Sequence, residues 1–217
     1  MKNSAATFLS EDEKRLVTEA VHRAEKKSSG EIVPMIVSRS YSYPLATHLG
    51  ALLLGMLTSL ILTPPLSGVL QAESSSYLLF CGFFISAYFL FTLIIPRTQR
   101  LHRFFITEGD IEDEVREGAI TAFFMEQLYK TKQENGVLLY ISVFERKVWV
   151  LGDAGVNAVI DENYWNDVVS ELVANIRIGK RCQGICRAVD SIGESLAAHF
   201  PIKEDNVDEL HNLIIRD

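Results

Sequence analysis

Three cysteines in 217 residues form no disulfide framework. Cys81 lies in an apolar run, and Cys182 and Cys186 stand four apart on a segment of helical periodicity, so the count suits a reducing compartment. A cationic surface is missing as well. The formal charge is −7, and no basic stripe with interleaved aromatics occurs, which argues against nucleic acid as a partner. The opening residues, MKNSAATFLSEDEKR, contain no apolar core of the length a cleaved signal peptide needs. There is no Walker loop, Gly-x-Ser-x-Gly elbow or His-Glu-x-x-His. The histidines (His22, His48, His102, His199 and His211) share no metal-ligand spacing. Cys182-Gln-Gly-Ile-Cys186-Arg187 is one residue too short for a phosphate-cradling cysteine loop, and both thiols read as core.

The most informative absence is of charge. Leu45–Thr63 and Tyr77–Ile95 contain no Asp, Glu, Lys or Arg. As helices each run spans roughly 28 Å, enough for a hydrocarbon core of about 30 Å. A chain this short cannot wrap two helices that are apolar on every face, which disfavours buried core helices. The connector, Pro64–Ser76, is rich in helix breakers and has no Lys or Arg, whereas Lys26, Lys27 and Arg39 precede the first run and Arg97, Arg100 and Arg103 follow the second. Basic residues stay on the cytoplasmic side. The pattern predicts a two-span protein of the cell membrane, in contact with the lipid bilayer, its connector outside and both termini and its globular part in the cytoplasm. His48 sits near one end of the first run, within reach of the interface.

The remainder predicts one globular core. Ser10-Glu-Asp-Glu13 is a capping box, followed by Leu16, Val17, Ala20, Val21 and Ala24 at helical spacing, with Gly30 as a stop. Glu31–Ser38 reads as a strand that Pro34 assigns to an edge or a bulge. Thr107–Thr131 reads as one long helix with acids in its first turns and a buried stripe of Ile111, Val115, Ala119, Ala122 and Phe123. Val137–Val143 suits a central strand, Phe144–Lys147 a turn and Val148–Leu151 the return strand. Helices follow from Asp161 and over about Lys180–Phe200, and the tail can dock on the domain. Helices that alternate with strands imply an α/β sandwich, its mixed sheet covered by helices. The chain thus divides into residues 1–40 (first helix and strand), 41–96 (the hairpin, spans about 45–63 and 77–95), 97–200 (the rest of the domain) and a tail, 201–217.

Ser29-Gly30-Glu31, then Gly136–Val148 with Ser142 and Glu145-Arg146, then Gly152 and Asp161 closely resemble the TPM domain, named for thylakoid-lumen, photosystem II repair and levamisole-receptor auxiliary proteins. Asp153-Ala154-Gly155, Trp165, His199-Phe200-Pro201 and Asp208-Glu209-Leu210 resemble an uncharacterised bacterial branch of that family with a transmembrane hairpin after the first strand. The resemblance implies a compact α/β sandwich, accessory roles beside membrane complexes in some members, and a suggested acid-phosphatase activity with divalent-cation binding in others. The chain departs from the better-known members at Ala5–Leu9, which has no Asp, and at Ile160, where they carry Thr.

Two functions follow as expectations. The first is a non-catalytic accessory or interaction protein with a membrane-protein partner. The second is a weak acid phosphatase dependent on Ca²⁺ or another divalent cation. Asp153, Asp161 and Glu162, flanking one loop, are its candidate metal ligands, because hard cations take carboxylate oxygens. The competing expectation for the same residues is structural: Asp153 shapes a turn, Asp161 caps a helix, and Gly152 and Gly155 supply unusual backbone angles.

Overall fold

The structure, a computed structural model, describes residues 4–69, 75–131, 133–202 and 210–217, and for Glu162 the backbone alone. The chain divides into two compact units, residues 1–41 with 112–217, and residues 42–111.

The first unit is an α/β fold. Helix α1 (Glu11–Glu25) starts at Ser10 with the expected reciprocal bonds to Glu13. It ends at Glu25, well before Gly30. Gly30 instead opens strand β1 (Glu31–Val37), where a Cβ would stand 2.8 Å from Leu196. Strand β2 (Gly136–Ser142) runs parallel to β1, and β3 (Lys147–Gly152) returns antiparallel to β2. The tail contributes a strand of its own, β4 (Ile214–Arg216), parallel to β1, so the order is β3-β2-β1-β4.

β1 is therefore not an edge strand, and Pro34 escapes the ladder for a different reason. Glu31 N donates to Asn135 O, and Val37 O accepts from Val143 N. Odd-numbered residues of β1 thus turn their peptide groups to β2, and even-numbered ones to the opposite side, where Ser38 N donates to Arg216 O. Pro34 faces that second side, and β4 pairs only Met35–Val37. The missing donor falls one residue outside the paired stretch.

One sheet face carries Ile32, Ile36, Val137, Leu139 and Ile141 into a core shared with α1, α7 (Glu162–Arg177) and α8 (Arg181–His199). Trp165, Val168 and Leu172 of α7, and Ile185, Val189, Ile192 and Leu196 of α8, are buried there as their spacing predicts. Leu16 of α1 is exposed rather than inward. The opposite face buries Val33, Met35, Leu138 and Tyr140, and Gly118 of helix α5 (Glu108–Met125) lies against Tyr140 Oη and Ser40. The expected stripe of α5 is buried, but the helix stops at Met125. Gln127 takes a left-handed φ of 60° and a short 3₁₀ turn, Leu128–Lys130, completes the segment. A left-handed residue cannot continue a right-handed helix.

Gly193 sets the approach of α8 to α1: a Cβ there would lie 2.5 Å from Ala24 Cβ and 3.2 Å from its Cα. Gly193→Ala should destabilise the fold by about 1–2 kcal/mol, overpacking outweighing the gain in helix propensity. Gly109→Ala in α5, where nothing lies within 4 Å, should be neutral or slightly stabilising in the same thermal melts.

The second unit contains helix α2 (Pro44–Val69), helix α3 (Ser76–Ile94) and the short helix α4 (Gln99–Phe104). Both α2 and α3 are long and apolar enough to cross a membrane. α2 continues through Pro64 and Pro65 rather than ending at Thr63. Proline's fixed φ suits a helix, and the two missing donors affect only its last turns. His102, buried in α4, bonds through Nε2 to Thr47 Oγ1 at 3.2 Å.

Candidate functional site

The residues that carry the resemblance gather at the two ends of the β2–β3 hairpin. At the turn, Glu145 is fully buried. Its carboxylate accepts from Ser40 N at 3.0 Å and from Ser142 Oγ. Arg146 takes φ 55° to close the turn. Beside it, Tyr140 Oη and Ser40 Oγ are 3.2 Å apart. Burial is the main cause that pushes the Tyr140 phenol above its usual range, so it is neutral at neutral pH. Val143 N and Phe144 N donate to Val37 O and Ser38 O. The hairpin turn thus clamps the segment that leaves β1, residues 38–40.

At the other end, β3 closes on Gly152 and Asp153. Asp153 N donates to Gly136 O at 2.8 Å. The Asp153 side chain caps the short helix α6 (Ala154–Asn157) by accepting from Ala154 N. Its Oδ2 is buried with no hydrogen-bond partner among the described residues. Asn157 Nδ2 donates to Gly152 O at 2.6 Å. Gly155 allows close backbone approach, since a Cβ there would lie 2.7 Å from Glu134 O and 2.8 Å from Gln133 O. Neither Gly152 nor Gly155 has a positive φ; among the described glycines only Gly179 does. The expectation of unusual angles is corrected: contact with neighbouring atoms, not φ, excludes a side chain there.

Asp161 caps α7, its Oδ1 accepting from Asn163 N at 2.8 Å and from Asn163 Nδ2 at 2.6 Å. Glu162 follows as the first residue of α7, and its side chain lies outside the described residues. Among the described residues, no group of three or more His, Cys, Asp or Glu side chains is arranged to hold a metal ion. Both aspartates therefore act first as helix caps, each engaging one carboxylate oxygen. Asn135 went unnoticed in the sequence. It is buried and joins the starts of β1 and β2, its Nδ2 donating to Ser29 O at 2.6 Å and its O accepting from Glu31 N. An isolated Asn before a strand reads as ordinary turn chemistry, so no sequence signal marked it.

The TPM domain model matches residues 97–195, a span that includes the Glu145 turn, the Asp153 loop and Asp161. That stretch of the chain is similar to the TPM domain. The NMR structure of the BA42 protein from the psychrophilic bacterium Bizionia argentinensis is similar in fold, with a TM-score of 0.58 at 21% identity over 97% of this chain and 96% of that one. No curated protein matches the chain. Within the TPM domain match, Ser142 and Glu145 form the buried clamp and the exposed Arg146 closes its turn, while Gly152 and Asp161 end a strand and begin a helix. Ser40, the clamp's other half, lies outside the matched span.

Proposed function

We propose that this is a TPM-domain protein anchored in the cytoplasmic membrane by α2 and α3, acting there as a non-catalytic accessory of a membrane-protein partner. The observation that carries the anchor is the inverted size pattern of α2. Its buried side is built from Ala46, Thr47, Gly50, Ala51, Gly55 and Ser59, while Leu45, Leu53, Met56, Leu57 and Ile61 point outward. A water-soluble helix buries its large apolar residues; helices that associate in lipid approach through small ones. A Cβ on Gly55 would come within 3.3 Å of Tyr88 N, so α2 and α3 meet backbone to backbone. The hydroxyls of Thr58, Ser59 and Thr63 each donate to the carbonyl four residues back, which meets the demand that polar groups in lipid be satisfied internally. His48 Nδ1 and Tyr88 Oη pair at 3.0 Å, removing the isolated polar groups of both spans.

The basic residues before Pro44 and after Ile95 favour a cytoplasmic TPM domain. The clamp and the Asp153 loop are largely internal scaffolding, which favours an interaction role over turnover. Crosslinking the full-length protein in native membranes tests this: a stoichiometric membrane-protein partner is expected, and recovery of the chain alone would contradict it.

One observation favours a second reading, the divalent-cation-dependent phosphatase: Asp153 Oδ2 is buried and has no hydrogen-bond partner among the described residues. On that reading, Asp153→Ala with Asp161→Ala abolishes any cation-dependent phosphomonoester hydrolysis by the solubilised protein. Activity unchanged in the double variant would remove both aspartates from the mechanism, and a parent protein without cation-dependent hydrolysis would exclude the reading.

A further inference from the structure

Cys182 and Cys186 occupy adjacent turns on one side of α8, and their sulfurs are 4.0 Å apart. Both thiols turn toward the backbone of α1: Cys182 Sγ is 3.7 Å from Glu13 O and Cys186 Sγ 3.8 Å from Leu16 O. They line an open groove of about 420 Å³ whose walls include Glu13, Leu16, Arg23 and Lys180. Neither cysteine is fully buried, so an ion can reach both from solvent.

Two chemistries compete for such a pair. A disulfide requires Cβ atoms about 3.5–4.5 Å apart. Residues four apart on a helix hold theirs roughly 5–6 Å apart, so closing the bond would distort the first turns of α8. A bridging ion needs no such movement, because the sulfurs already stand near the separation at which two thiolates share one soft cation. Hard divalent ions prefer oxygen and zinc prefers four ligands, whereas soft thiolates select closed-shell monovalent copper. No third His, Cys, Asp or Glu joins the pair among the described residues.

We propose that Cys182 and Cys186 form a two-thiolate site for a soft, closed-shell monovalent cation, Cu(I) being the physiological case. Binding is an exchange of two protons for one ion: Cu⁺ and two thiols give a bis-thiolate complex of charge −1 and two H⁺. Arg23, Lys180 and Arg181 on the groove wall act against that negative charge, while Glu13 on the same wall and Asp190, 3.7 Å from Arg23, act with it. Burial raises both thiols, Cys186 to about 12, so at neutral pH the protons are present to be displaced. Affinity consequently rises with pH, by up to the square of the proton dilution.

The test uses the full-length chain in detergent with Cys81→Ser removing the third thiol, reduced and titrated with Cu(I) held by a competing chelator. The expected result is one ion per chain, an ultraviolet thiolate-to-copper absorption band and release of two protons. Cys182→Ser and Cys186→Ser should each lose roughly 100-fold or more in affinity, the loss of a chelating partner. Single variants within a few-fold of the parent, or one ion bound per thiol, would overturn the proposal. So would a Cys182–Cys186 disulfide that forms fully in air with the helical signal unchanged, since the pair would then be a redox couple.

Discussion

Leu57→Asp should abolish stable membrane association. Leu57 is 55% exposed, near the middle of α2 on its outward side. For a water-soluble helix, a polar substitution at so open a site changes stability by no more than about 0.5 kcal/mol. In a bilayer the same carboxylate opposes insertion by about 3 kcal/mol at the helix centre. The bilayer penalty is roughly a hundredfold in the insertion equilibrium, against about twofold in the folding equilibrium of a soluble helix, on the order of 1.4 kcal/mol per tenfold. Leu57→Ala keeps the position apolar and should remain in the membrane fraction. Membrane fractionation of the three proteins, expressed at equal levels, reads the difference directly, and a Leu57→Asp variant that fractionates like the parent would contradict a lipid-facing α2.

Glu145→Ala should strongly destabilise the first unit. The carboxylate is fully buried and accepts from Ser40 N and Ser142 Oγ. Hydrogen bonds to a charged group contribute roughly 1.5–3 kcal/mol each, and donors left without a partner add their own penalty. A loss of about 3 kcal/mol follows, with amide exchange rising first at residues 38–40, which the turn clamps to β1. Glu145→Gln preserves the shape and one accepting oxygen and should lose about half as much. Chemical denaturation of the domain in detergent measures both. A Glu145→Ala protein within 0.5 kcal/mol of the parent would mean that the motif's most specific residue is not structural.

The parts of the fold that were legible in the sequence are those governed by local periodicity. Ile185, Val189, Ile192 and Leu196 repeat at helical spacing and are buried as a row. The parallel pairing of β1 with β2 follows from the long connection between them. Ser10 and Asp161 cap helices because their side chains act within a single turn. What could not be read depended on distant atoms. Pro34 argued for an edge until β4, from the far end of the chain, joined only the residues beyond it. Gly30, Gly152 and Gly155 read as conformational devices, yet their neighbours (Leu196, Val156 and the Gln133–Glu134 backbone) are what exclude a side chain. Glu145 reads as a charged turn residue, and nothing in Phe144–Lys147 itself shows that its partner is Ser40, over a hundred residues earlier. The candidate site divides the same way: the aspartates were found by type, but their capping roles were settled by hydrogen bonds to Ala154 N and Asn163 N.

On the function proposed above, α2 and α3 cross the bilayer and leave the first unit in the cytoplasm. The most direct measurement is labelling of single cysteines, in a background lacking Cys81, Cys182 and Cys186, with a membrane-impermeant maleimide on intact cells. Gly68→Cys, exposed near the end of α2, should label without lysis, and Asp113→Cys, exposed on α5, only after lysis. Labelling of Asp113→Cys in intact cells, with Gly68→Cys protected, would contradict the account.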